Sequence, residues 1–399
     1  MGNYDFDKII DRHGSGAIKT DQLEQRFGRA DLLAAWVADM DFATPDFIVD
    51  AIKKRLEHPI FGYTGEPDEY RSVIINWEKK LHNWDIKPEW LSYIPGIVKG
   101  IGMVINVFTK PGDNVVIMPP VYHPFRITAE LNGRKVVNIP LKEDQQNKYN
   151  IDFEKLEGLS QNGGVLIFSN PHNPAGRVWS EEELKKLADI AEKKNLIVIS
   201  DEIHADMTLW GKTHTPYMKV SDKAFNHSIT FCAPSKTFNI PGIVSSFSVV
   251  PNEAIRNKFY GWLKANEFDE ASIFSYITTI AAYSEGENWR KEMLDYIEGN
   301  ILFTENFLKK ELPEIKAIRP DASFLIWLDC RALEFSQDEL VNLFVNYAKV
   351  ALNDGAMFGK EGEGFMRLNV ATPRSELKKI LDNIRDGLTE YRNSRNENK

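Results

Sequence analysis

Cysteine is scarce in this chain: Cys232 and Cys330 are the only two among 399 residues. Both stand in apolar, strand-like runs and read as small core residues of a protein in a reducing compartment, so a disulfide-stapled scaffold is excluded. Pairing or reactivity of the two thiols is the alternative reading. Long hydrophobic runs are also missing, and no apolar segment approaches the ~20 residues of a membrane span. Positive charge is not in excess: 49 Lys and Arg against 58 Asp and Glu leave a net charge of -9. That balance argues against nucleic acid and anionic membrane as partners, since both require basic surfaces. The beginning, Met-Gly-Asn-Tyr-Asp-Phe-Asp, has neither the basic start nor the apolar stretch of a signal peptide, and the expectation is a cytoplasmic protein. No repeat or low-complexity tract breaks the composition, no metal is assigned, and the length accommodates two domains of ~100–200 residues.

What is present is an alternation of strands and helices in the middle of the chain. Residues 165–169 form a short apolar run followed by a Pro/Asn/Gly loop. Ser180 with Glu183 forms a capping box ahead of a predicted helix over 181–194, whose Leu184, Leu187, Ala188 and Ala191 share one face. Apolar runs at 196–200 and 228–232 are two further strands. Helices between strands imply parallel pairing with right-handed crossovers, and continuous apolar strands imply burial on both faces. Upstream, 93–95 and 115–118 read as strands. The first leads into Gly96-Ile97-Val98-Lys99-Gly100, a turn and helix start whose Ile97 and Val98 N–H groups suit a phosphate. A plain turn is the other reading of that segment. A helix over 288–312, strands at 324–329, 349–352 and 365–370, and a helix over 374–392 suggest a smaller α+β domain.

Sheets of this kind bind ligands at the carboxyl ends of their strands. Three polar residues fall there. Asn173 lies in Ser-Asn-Pro-His-Asn-Pro-Ala-Gly (169–176), Asp201 in Ser-Asp-Glu-Ile-His (200–204), and Lys236 in Ala-Pro-Ser-Lys-Thr-Phe-Asn-Ile-Pro-Gly (233–242). Each has an ordinary role open to it: turn chemistry for the Asn, a helix cap for the Asp, a solvated surface charge for the Lys. Their convergence on one crevice points instead to a site that holds pyridoxal phosphate. Such a site needs an amine to bond the aldehyde, a carboxylate to keep the pyridine nitrogen protonated, and an amide for the ring oxygen.

On these motifs the chain resembles the aminotransferase class I/II enzymes of fold type I, and in finer detail their cystathionine β-lyase and cystalysin branch of carbon–sulfur lyases. The resemblance implies a three-layer α/β fold with a mostly parallel sheet in a large cofactor domain (46–287), plus a small domain from 1–45 and 288–399. It implies that Lys236 forms the Schiff base and moves the Cα proton, that Ser235 contacts the phosphate, and that Tyr122 stacks on the pyridine ring. It implies that Tyr63, in Phe-Gly-Tyr-Thr-Gly (61–65), reaches the cofactor phosphate of a second subunit, which makes a homodimer with composite sites. Arg367 matches the residue that holds the substrate α-carboxylate, as a guanidinium fork does well. Val37 and Ala38, in Trp-Val-Ala-Asp-Met-Asp-Phe (36–42), match the segment that closes over the amino-acid substrate.

Two histidines are open. His204 stands three residues beyond Asp201, where many aminotransferases carry a tyrosine that touches the ring oxygen; a core or helix-capping histidine is the other reading. His123 follows the stacking tyrosine, and it either donates a proton to a departing thiolate or merely supports its neighbours. Many aminotransferases also place an Arg a few residues after the Schiff-base Lys, whereas 237–246 has neither Arg nor Lys. That absence, with Asp-Glu-Ile-His and Phe-Gly-Tyr-Thr, fits the lyase branch. The expected reaction is β-elimination from cystathionine- or cysteine-type amino acids to pyruvate, ammonia and a thiol, with transamination between an amino acid and a 2-oxo acid as the alternative. A regulatory or binding module without chemistry would not need Lys236 intact.

Overall fold

The structure, a computed structural model, describes residues 4–159 and 163–397. Two compact units divide it: one comprises Thr44–Asn173 and Arg177–Lys291, the other the chain up to Ala43, Pro174–Gly176, and everything from Glu292 onward.

The first unit is built on a seven-stranded sheet. In chain order its strands are β1 (Leu91–Ile94), β2 (Asn114–Ile117), β3 (Lys135–Asn138), β4 (Gly164–Ser169), β5 (Leu196–Asp201), β6 (Ser228–Cys232) and β7 (Ser246–Val249). Their spatial order is β1-β7-β6-β5-β4-β2-β3. The pairs from β6 across to β3 are parallel, while β7 runs antiparallel to both β1 and β6. Crossover helices cover the faces, among them Ile97–Phe108, Pro124–Leu131 and Glu181–Lys193. Val165, Ile167, Val198, Ile199, Ile229 and Phe231 are wholly buried, each worth roughly 1.5–3 kcal/mol as apolar burial. The capping box forms as the sequence predicts: the Glu183 N–H donates to Ser180 Oγ, and the Ser180 N–H donates to the Glu183 carboxylate.

The helix Ile97–Phe108 lies close against the sheet because Gly100 has no side chain. A Cβ at that position would stand 2.8 Å from Ile94 Cδ1 and 3.0 Å from Phe231 Cζ. Gly96, just before the helix, sits at φ 107°, in the left-handed region that other residues avoid.

The second unit has a four-stranded antiparallel sheet in the order Lys316–Ile318, Leu325–Asp329, Phe365–Asn369, Asn353–Asp354. The strand expected over 349–352 is shorter, Val350–Ala351, and pairs in parallel with Leu33–Ala34, while the separate strand Asn353–Asp354 joins the four-stranded sheet. The chain's beginning is tied in by buried charge. Arg12 bonds Asp39 at 2.7 Å and Asp41 at 2.8 Å, and Lys19, almost wholly buried, bonds Asp41 at 2.8 Å. Among the described residues no helix is long and apolar enough to cross a membrane.

Gly100→Val should lower the stability of the chain by on the order of 2–3 kcal/mol, since overpacking and a branched residue in a helix both oppose it. Urea unfolding would check this, and an unchanged midpoint would mean that the helix is free to shift away from the sheet.

Candidate active site

The parallel register sets out the first group of residues. β4 and β5 align Ser169 with Asp201, and β5 and β6 align Asp201 with Phe231. Beyond β4 the chain turns through a loop in which the Asn170 N–H donates to the Asp201 carbonyl at 2.9 Å. Asn173, buried, donates its N–H to Ser169 Oγ at 3.1 Å. Beyond β6 the chain forms a tight turn, with the Phe238 N–H on the Pro234 carbonyl and the Ile240 N–H on the Ser235 carbonyl, both at 2.9 Å. Ser235, Thr237 and Phe238 are buried there, while Lys236 is half-buried. Asn173 and Lys236 thus stand beyond β4 and β6, and Asp201 ends β5 between those strands.

Asp201 is electrostatically uncomfortable. Its carboxyl is buried, and its side-chain hydrogen bond among the described residues is one from the Ile203 N–H to Oδ1, at 3.1 Å. Burial pushes its pKa up to about 7; the Ile203 bond and the positive charge of Lys236 act against that rise, and Glu202 adds to it. A buried carboxyl in that state suits a cationic partner, as a protonated pyridine nitrogen would be. The helix Ile97–Phe108 offers a second fit. No side chain caps its N-terminus and no acidic residue stands in its first turn, so the Ile97 and Val98 N–H groups suit a phosphate. These residues fit pyridoxal phosphate.

Tyr122 lies half-buried at the approach to Pro124–Leu131, its ring 5.3 Å from that of His123 and 5.9 Å from that of Phe125. His123 is the N-cap residue of that helix. His204 is buried and is the N-cap residue of the short turn Ala205–Met207; its carbonyl accepts from the Met207 N–H at 3.0 Å. Tyr63 is fully exposed, with exposed Ile60 and Phe61 close to it in sequence.

The second unit gathers the remaining candidates. Arg367, on Phe365–Asn369, is buried; its Nη2 donates to the Trp36 carbonyl at 3.1 Å and to Asn353 Oδ1 at 2.6 Å, and its guanidinium lies 5.0 Å from the centre of the Phe358 ring. Asn369, two residues on, donates through Nδ2 to the Val37 and Asp39 carbonyls at 2.7 Å each. Val37 and Ala38 are half-buried within this clamped segment. Asn353 and Asn369 escaped the sequence reading. The signal was there for Asn369, which shares a strand face with Arg367 by the two-residue period. Also missed was a buried cluster behind Lys236: Glu78, His82, Glu202, Asp206 and His214. Its one sequence hint is the four-residue spacing of Glu78 and His82 on a helix.

A mostly parallel sheet that delivers a lysine and an aspartate from neighbouring strands defines the class of fold type I pyridoxal-phosphate enzymes. Within it, the model of the family "Aminotransferase class I and II" matches residues 37–384, and the chain belongs to that family. The chain is 42% identical to cystathionine beta-lyase PatB of Bacillus subtilis, over 96% of this chain and all of that protein. It is 33% identical to protein MalY of Escherichia coli, over 94% of this chain and 96% of the other. Among solved structures, cystalysin from Treponema denticola, which contains pyridoxal 5'-phosphate, superposes with a TM-score of 0.93 at 34% identity, covering 97% of this chain and 99% of that one.

The raised pKa of Asp201 has a thermodynamic sign. Folding holds its proton more tightly than the unfolded chain does, so its contribution favours the fold below about pH 4 and is lost as pH rises toward 7. In cofactor-free protein Asp201→Asn should therefore stabilise the fold relative to the parent at pH 8, by on the order of 2–4 kcal/mol more than at pH 4. Urea unfolding at the two pH values measures the difference, and equal effects at both would contradict the assignment.

Proposed function

We propose that this chain is a pyridoxal-phosphate-dependent carbon–sulfur β-lyase acting on cystathionine- and cysteine-type amino acids, with pyruvate, ammonia and a thiol as products. The observation that carries it is Lys236, half-exposed on an otherwise buried turn, with its charge acting on the buried Asp201. The relationship to a cystathionine β-lyase over nearly the whole chain supports the reaction type.

Bound pyridoxal phosphate supplies an electron sink that makes the Cα–H bond of an attached amino acid acidic. Lys236 would hold the cofactor's aldehyde carbon, and its amine would be the base for the Cα proton of the substrate. Asp201 holds the proton on the ring nitrogen, and the Asn173 amide donates to the ring oxygen. His204, three residues past Asp201, would contact the same ring oxygen. Tyr122 stacks on the ring and keeps water from one face. The Ile97 and Val98 N–H groups and the Ser235 hydroxyl hold the phosphate. Arg367 grips the substrate carboxylate, and the segment with Val37 and Ala38 covers it. A thiolate on Cβ is a good leaving group, which favours β-elimination over transamination for sulfur amino acids.

We propose a cytoplasmic homodimer as the working assembly. Tyr63 projects fully into solvent, and Leu56, Ile60 and Phe61 are exposed in the same stretch of chain. A second copy that covers this segment would bury these side chains and receive Tyr63 at its own phosphate.

Three outcomes are expected. Lys236→Ala should abolish the visible absorption band of the bound cofactor and essentially all pyruvate release; normal turnover would remove Lys236 from the mechanism. L-cystathionine and L-cysteine should each yield stoichiometric pyruvate and thiol, and Arg367→Ala should raise KM for both. Little pyruvate, with rapid exchange of amino groups between an amino acid and a 2-oxo acid, would instead establish transamination. Tyr63→Phe should weaken cofactor retention while the far-ultraviolet circular dichroism stays unchanged, and a fully active monomer in sedimentation would overturn the composite site.

A further inference from the structure

The buried acidic cluster behind Lys236 is costly, and charged groups are seldom kept in an interior without a use. Asp206 is its hub. Oδ1 accepts from His82 Nε2 at 3.0 Å; Oδ2 accepts from Trp77 Nε1 at 3.1 Å and from Thr237 Oγ1 at 3.3 Å; and its carbonyl accepts from Arg290 Nε at 2.5 Å. His82 and Trp77 belong to the helix Asp68–His82, and Arg290 to the helix Glu287–Glu311. Thr237 is the residue after Lys236. Asp206 thus ties one helix to the turn that carries the lysine through its carboxylate, and a second helix through its backbone carbonyl.

We propose that Asp206 is a positioning residue for Lys236, acting through the Thr237 hydroxyl; this inference rests on the lyase reading above. Thr237 is wholly buried and β-branched, so a bonded hydroxyl leaves it one side-chain orientation. Phe238, also wholly buried, packs 5.7 Å from the Trp77 ring and 6.0 Å from the Trp289 ring. The inward side of the turn is therefore fixed at two consecutive residues, which settles the direction in which Lys236 leaves the backbone. A proton-transferring amine needs such fixing, because a misplacement of about 1 Å costs on the order of a hundredfold in rate.

The cluster's charges are arranged to keep Asp206 an acceptor. Burial opposes its ionisation, but the bonds from His82 and Trp77 and the charge of Arg290 bring its pKa below the usual value. Glu78, 3.9 Å from His82 Nε2, has its pKa pushed well up by burial and by the charges of Asp206 and Glu202. Glu202 is taken up separately, by His214 Nε2 at 2.6 Å, Ser200 Oγ at 2.8 Å and the Tyr217 N–H at 2.9 Å. Burial raises Cys232 and Tyr283, so both remain neutral.

The test uses holoenzyme variants Thr237→Val, Thr237→Ser and Asp206→Asn, with the visible circular dichroism of the Lys236-linked cofactor and the split between kcat and KM as readouts. Thr237→Val keeps the branch and loses only the hydroxyl. It should lower kcat about tenfold with KM within about twofold and diminish the visible dichroism, while Thr237→Ser restores both. Combined with Asp206→Asn it should cost no more in kcat than the worse single change, because the two act in series. Thr237→Val with parental kcat and dichroism overturns the proposal, as does a loss of thermal stability alone or a multiplicative double variant. A parent chain without a visible cofactor band would instead sink the lyase reading itself, so the two failures are distinguishable.

Discussion

Parallel pairing of β4, β5 and β6 is the constraint on which the rest of the site depends. It places Ser169, Asp201 and Phe231 level with one another, with neighbouring strands ~4.8 Å apart. Loops leaving those three strands emerge at one end of the sheet and cannot drift apart. The same pairing fixes which residue of β5 faces which way. A slip of one residue would turn the Asp201 side chain to the opposite face and bring in its neighbours Ser200 or Glu202. The wholly buried valines and isoleucines along these strands make such a slip expensive, because each would exchange its packed face for the other. The apolar slab is thus also the device that aims a carboxylate.

Around that slab the larger unit keeps several acids inside, and it treats them differently. Among the described residues Glu202 has donors on both oxygens, Asp206 has three side-chain donors, and burial pushes the pKa of Glu78 well up. Asp201 has one backbone N–H. The unevenness is informative. Where a carboxylate is surrounded by donors its work is to hold protein together, and where it is left short a partner from outside has room to complete it.

The three strands before the loops were legible because continuous Val, Ile, Leu and Phe runs between helix signals suit little besides strands buried on both faces. The capping box at Ser180 and Glu183 was equally plain. β7 was not legible: Ser246-Phe-Ser-Val alternates like a half-exposed strand, yet all four residues are buried between two antiparallel neighbours. A strand within 349–352 was legible, but its pairing with Leu33–Ala34 was not, because pairing partners leave no local trace. Among candidate site residues, Asn173, Asp201 and Lys236 announced themselves by position at or after strand ends. Asp206 and Glu78 did not, since a charge on a helix or in a loop reads by default as solvated, and only the tertiary structure reveals that these are buried.

Arg367 illustrates a different economy. Its guanidinium is already gripped by the Trp36 carbonyl and Asn353, and lies against the Phe358 ring. A free arginine surrenders about 2 kcal/mol of rotamer entropy when it is immobilised, but here most of that loss occurs when the protein folds. A carboxylate meeting it encounters a fork already facing one way, and little of the encounter energy is diverted into freezing a side chain. Lysine at this position would carry the same charge on a stem with no planar fork to clamp, so the same carbonyl, amide and ring would not hold its charge in one direction.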